Sequence, residues 1–131
     1  MGFRRVLSLG YSCQPQWQIR RLVNDKGDGS WVSGISDRLV GSPTTVFSWQ
    51  ITPYDALLAY LRSDFTGMFE RADLEVAARG IQNTRTGTLH LHEFPEDTRD
   101  HEAIDRHFAA ARDRHQRLCR RTRLMLTDDE P

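Results

Sequence analysis

Arg4-Arg5-Val6-Leu7-Ser8-Leu9-Gly10-Tyr11-Ser12-Cys13-Gln14-Pro15-Gln16-Trp17 is the stretch from which the fold is read. Val6, Leu7 and Leu9 form a short apolar run that Gly10 ends, which predicts a strand over 4–10. The residues after it read as a helix reaching about Asn24. Ser12 or Cys13 can cap that helix, and Pro15 falls in its first turn, where the backbone N–H groups have no partner within the helix. Trp17, Leu22 and Val23 supply apolar contacts further along. A strand that turns directly into a helix is the βα step of a Rossmann-like layout. The expected fold class is therefore α/β: a single domain over 1–131, with a small mixed sheet flanked by helices and Cys13 at the strand-to-helix turn.

Residues 25–36, rich in Gly, Ser and Asp, form with Gly41, Ser42 and Pro43 a long irregular connection. Thr52-Pro53-Tyr54-Asp55 is a helix start, with Thr52 as cap and Pro53 in the first helical position. Tyr54, Leu57, Leu58 and Leu61 are then expected on one face. Gly67 and Gly80 punctuate a mixed segment, and 84–88 reads as a turn into Thr88-Leu89-His90-Leu91-His92. The alternation of that run predicts a half-exposed strand with both histidines on the same side. A helix is expected over 100–121, burying Ile104, Phe108, Ala111 and Leu118, and a last strand over 123–127 before the acidic Asp128-Asp129-Glu130.

With 131 residues, 38% hydrophobic and 27% charged, the chain has the size and composition of one globular domain. Its 18 basic and 18 acidic residues cancel, so no net field draws it to nucleic acid or to an anionic membrane. Of the 18 basic residues 17 are arginine and Lys26 is the lone lysine. No arginine cluster is interleaved with stacking aromatics, so the excess reads as compositional bias. Cys13 and Cys119 are too far apart for a Cys-x-x-Cys motif, which indicates neither a disulfide framework nor a zinc knuckle and points to a reduced, cytoplasmic setting. The apolar run at the start is too short for an export signal, Val6 stands where a myristoylation signal needs Ser or Thr, and no stretch suffices to span a bilayer.

A thiol at a helix N-terminus feels the positive end of the helix dipole, which favours the thiolate. The unpaired N–H groups of the same turn can receive the oxyanion formed when a thiolate attacks an acyl carbon. Cys13 can equally be a small buried residue, whereas Cys119, among arginines late in a helix, reads as structural. The base for such a thiol is sought among histidines, whose ordinary pKa suits proton transfer near neutrality. His101, His107 and His115 belong to the long polar helix, where solvated histidines are unremarkable. His90 and His92 sit on a strand, a more rigid mount. A metal on this histidine pair lacks a Glu or Cys partner at ligand spacing, so no metal is expected.

Ser8-Leu9-Gly10-Tyr11-Ser12-Cys13, Ile19-Arg20-Arg21-Leu22, Phe47-Ser48-Trp49 with Thr52-Pro53-Tyr54-Asp55-Ala56-Leu57, and His92-Glu93-Phe94 occur in the order of the landmarks of a bacterial family classed as papain-like cysteine peptidases. The resemblance covers the chain to about Arg123. It implies Cys13 as nucleophile and His92 as base, choosing His92 over His90 because the His-acid-Phe motif aligns only there. It implies peptide or other acyl substrates, no cofactor, and an α+β papain-like fold as the alternative to the βα layout. In papain-like order a third member follows the histidine, and Asp128 is the candidate. Where the family reads Pro-Phe-Asp-Trp this chain has Val46-Phe47-Ser48-Trp49, and it stops soon after Thr127, so the domain is expected to be shortened at its C-terminal end. The missing acid and the short end favour a second reading, a binding or accessory module that keeps the fold without the chemistry. A third, Ser8 as an esterase nucleophile, lacks the Gly-x-Ser-x-Gly elbow.

Overall fold

A computed structural model describes residues 44–127. The strand and cysteine helix expected over 4–24, the connection after them, and Asp128 lie outside the described residues. In chain order these residues form a 3₁₀ turn Val46–Trp49, β1 Gln50–Ile51, α1 Tyr54–Arg62, a 3₁₀ turn Arg71–Asp73, β2 Leu74–Ala77, β3 Gly80–Asn83, β4 Leu89–His90 and α2 His101–Thr127. The sheet runs β1-β4-β3-β2, and every pairing in it is antiparallel. A small sheet together with two helices agrees with the expected combination of α and β structure. A mixed sheet would need a parallel strand, and among the described residues there is none.

The first turn is held by a capping box: Thr45 Oγ1 accepts from Phe47 N at 3.2 Å, and Ser48 Oγ accepts from Thr45 N at 2.9 Å. Val46 N donates to Thr122 Oγ1 at 2.9 Å, tying this turn to α2. The cap of α1 is Pro53, not Thr52. Thr52 is buried and takes a hydrogen bond from Gln50 Nε2 at 2.9 Å, so its hydroxyl serves the sheet side of the turn. The buried face of α1 also differs from the expected Tyr54, Leu57, Leu58 and Leu61. Ala56 and Tyr60 are buried with Leu57 packed beside them, while Tyr54 is 70% exposed and Leu61 42%. Tyr60 can turn inward because its hydroxyl meets His115 Nε2 at 3.3 Å, which removes the cost of burying an unpaired phenol.

The β2–β3 hairpin closes through two residues, Ala78 and Arg79. Between β3 and β4, Asn83 Oδ1 accepts from Arg85 N at 3.0 Å and Thr86 N at 3.1 Å, an Asx-type turn completed by Gly87 at φ 75°. Strand β4 is shorter than the expected 88–92. His90 is paired on both sides, with Gln50 of β1 and Ile81 of β3, but β3 begins at Gly80 and β1 at Gln50, so the ladder has run out before His92.

The expected last strand over 123–127 is instead the end of α2. Asp100 Oδ1 caps the start by accepting from Ala103 N at 2.7 Å, and from there to Thr127 no Gly or Pro interrupts the helix. Ile104, Ala111, His115, Cys119, Thr122 and Met125 are buried at helical spacing, so the stripe that starts the helix continues through the residues read as a strand. Phe69, Leu74, Ile81, Phe94, Ile104 and Ala111 form one core cluster under the sheet. Val46, Phe47, Tyr60, Met68 and Cys119 form a second where the first turn and α1 meet α2.

Gly80 faces the point where β4 ends. A Cβ there would stand 2.7 Å from the His90 carbonyl oxygen, closer than atoms of two backbones tolerate. Gly80→Ala is therefore expected to cost about 1–3 kcal/mol, read as a lower urea midpoint at an unchanged m-value. A midpoint equal to the parent's would show that the two strands separate without cost.

Candidate functional site

The site grows from the end of β4. His90 is 1% exposed, with its ring edge-on to Phe69 at 5.0 Å and to His115 at 5.9 Å. The chain then bends over 91–94, burying Glu93 beneath His90 and Phe94 in the core, where the Phe94 ring stacks on Phe69 at 6.0 Å. His92, between these inward residues, is left exposed, and its ring meets Trp49 edge-on at 5.6 Å. The two histidines thus do not share a side: His90 is sealed in the core and His92 opens outward. A strand of full length would have kept them together; the bend after His90 separates them.

His92 and Trp49 line a cavity of about 820 Å³ together with Arg114, Arg117 and Arg121 of α2. That volume lies in the range that accommodates small organic ligands. Arg114 donates from its guanidinium to the Glu93 carbonyl oxygen, joining α2 to the bend that carries His92. Cys13 lies outside the described residues. Asp128 lies outside them as well, and the strand expected to deliver it is the last turns of a helix. Ser48, at the family's acid position, is buried and engaged with Thr45.

Beneath His92 lies a buried polar cluster that the sequence reading missed. His90 Nδ1 is 3.2 Å from Glu93 Oε1 without hydrogen-bond alignment, and among the described residues neither side chain has another polar partner. His115 stacks on Phe69 at 4.5 Å, with Tyr60 at one ring nitrogen and the Cys119 sulfur 3.5 Å from the other. Burial alone would raise the Glu93 carboxyl, but His90 beside it, with His115 behind, holds it below its ordinary value. Burial, helped by the neighbouring His90, depresses His115 to about 4. Burial raises the Tyr60 hydroxyl above its ordinary value and pushes the Cys119 thiol up to about 12, so Cys119 is an inert structural thiol at neutral pH. His115 is not the solvated histidine expected of a polar helix. The spacing Ile104, Phe108, Ala111, His115 and Leu118 was the signal that places it on the apolar stripe.

Among the described residues, no group of three His, Cys, Asp or Glu side chains could hold a metal ion, and no helix is long and apolar enough to cross a membrane. Compared with known proteins, the chain matches no family, no curated protein and no solved structure.

The buried cluster carries a pH dependence. A histidine held below its unfolded pKa binds a proton more readily when unfolded, so its neutral burial contributes stability above about pH 6.5 that is lost as the pH falls toward 4. Glu93, depressed in the fold, adds a second loss below the ordinary carboxylate range. Urea midpoints are therefore expected to fall on acidification from pH 7, with His115 accounting for roughly 3 kcal/mol in full. His115→Phe, which keeps an aromatic ring on Phe69, should flatten the slope between pH 6.5 and 4 whatever it does at pH 7. An undiminished slope in that variant would assign the acid sensitivity elsewhere.

Proposed function

We propose that the chain is a papain-like thiol-dependent hydrolase or acyltransferase, with Cys13 as nucleophile and His92 as its base. His92 takes the proton of the Cys13 thiol, the thiolate sulfur bonds to the acyl carbon, and the departing amine or alkoxide receives that proton. Water or another nucleophile then releases the acyl group from sulfur, with His92 again moving the proton.

The observation that carries this reading is the setting of His92. It is exposed on a cavity large enough for a ligand, while the buried His90 and Glu93 anchor the bend that carries it. His90 is sealed against Glu93, His115 is buried and held neutral, and His101 is spent on Glu75 Oε2 at 2.9 Å. The histidine selected by the His-acid-Phe motif is thus also the one that lines this cavity, which His107 does not.

A binding module without chemistry remains the second reading, because Ser48 replaces the family's acid. The capping box supports a different weight for that change: Ser48 turns back on Thr45, a role that an acidic side chain at the same position can fill. An acid used as a cap can be lost to serine without removing a group from His92.

Alkylation of the native chain by iodoacetamide across pH separates the two. Cys119 stays silent near neutrality, its thiol buried and raised, so the reaction reports Cys13. In the catalytic reading Cys13 alkylates with a pKa below about 7, and His92→Ala returns it toward about 8.5. A profile near 8.5 in the parent, unchanged by His92→Ala, would falsify the pair and leave the binding module ahead.

A further inference from the structure

The three arginines opposite His92 are a feature that thiol chemistry does not use. Arg114, Arg117 and Arg121 recur at intervals of three and four residues, which places them on one face of α2 over roughly 10 Å of axis. All three line the cavity, and all three are exposed there. Arg114 keeps its full charge, because its partner is the neutral carbonyl of Glu93. Arg117 is paired with Asp113 one turn back, in an exposed pair that solvent weakens. Arg121 has no ionic partner among the described residues.

The described lining contains one acid, Glu93, and its charge is not offered to the cavity. Its carboxylate oxygens are buried, with one of them against His90. Among the described residues the wall therefore presents three guanidinium groups, and the one accessible carboxylate engaged with them is that of Asp113, in its exposed pair with Arg117. A planar guanidinium matches the oxygens of a phosphate or carboxylate with two parallel N–H donors. One such group suffices for a carboxylate. Three along one wall suit an anion with more charge and more acceptor oxygens. Trp49, across the cavity, adds an aromatic surface for the body of a ligand.

We infer that the cavity between Trp49, His92 and α2 is a recognition site for a doubly charged oxyanion, a phosphate group carried by the ligand and held by Arg114, Arg117 and Arg121. The inference rests on the acyl-transfer reading only for what the phosphate is attached to, namely the acyl substrate or acyl donor. The site itself stands on the arginine wall.

The test titrates inorganic phosphate into the full chain at constant ionic strength, with acetate in parallel, and follows 1H–15N NMR signals. Phosphate should shift the Trp49 indole and the amides of 114–121 saturably, and acetate should bind about tenfold or more weakly. Arg121→Ala and Arg117→Ala should each weaken phosphate about tenfold. Arg120→Ala, whose side chain borders a different cavity, should leave the affinity unchanged. These residues are exposed, so the variants should keep the parent's fold, and their spectra show at once whether they do. The site is overturned if phosphate causes no saturable shift, if acetate binds equally well, or if Arg120→Ala weakens phosphate as much as Arg121→Ala, the mark of diffuse attraction. Cys13 alkylation reads the other hypothesis separately. Alkylation dependent on His92 without phosphate binding removes this inference alone, and phosphate binding with an ordinary Cys13 leaves an oxyanion-binding module.

Discussion

The rest of the site depends on a carboxylate and an imidazole sealed together in an apolar core. His90 and Glu93 are both nearly inaccessible to solvent and 3.2 Å apart. Burying the Glu93 carboxylate with no partner would cost several kcal/mol, so losing His90 would leave it exposed to that cost. The two stand three residues apart, so they can meet only if the chain doubles back at once after β4. That requirement produces the bend over 91–94, and Phe94 reinforces it by entering the core beside Phe69. The exposure of His92 is then tied to its neighbours' burial: with His90, Glu93 and Phe94 turned inward, Leu91 is half-buried and His92 faces out.

Helix α2 supplies the second constraint by serving two surfaces with one period. Its inward stripe closes both core clusters and places His115 between them. Its neighbouring face carries the arginines that wall the cavity. Two contacts join that helix to the opposite side: Thr122 receives Val46 N, anchoring the turn that ends in Trp49, and Arg114 reaches the carbonyl of Glu93 beside His92. Trp49 and His92 are thereby positioned against the same helix by separate tethers.

How much of this was legible in the sequence varies with the range of the interactions involved. The start of α2, the β3–β4 turn and the presence of a strand at Leu89 and His90 follow from local chemistry, and all were legible. The end of that strand was not. Alternation in 88–92 describes side-chain polarity, but a strand lasts only as long as its neighbours do, and the limits at Gln50 and Gly80 are set by tertiary structure. The apolar triplet Leu124-Met125-Leu126 suggested a strand for the same local reason. Helix continuity was nevertheless present in the sequence, in the spacing of Leu118, Thr122 and Met125 and in the absence of a breaker. His115 was misread by composition: its helix is polar on average, yet it sits at a position whose neighbours one turn away are apolar. The choice of His92 over His90 came from the motif, since no periodicity separates two histidines at alternate positions.

Charge shows why a sum over the chain is a poor guide to a site. Equal numbers of acids and bases exclude a long-range field, but not a local one. The acid that lines the cavity, Glu93, has its carboxylate buried beside His90 within the core and does not offer it to the cavity. The arginines nearest the cavity are engaged by a carbonyl, by an exposed acid, or by no ion among the described residues. A neutral chain can therefore hold a cationic wall, because its acids are spent on structure at the place where its bases face solvent. An arginine excess that reads as bias in a count still sets three of them on one face of α2, lining the same cavity as the outward-turned His92.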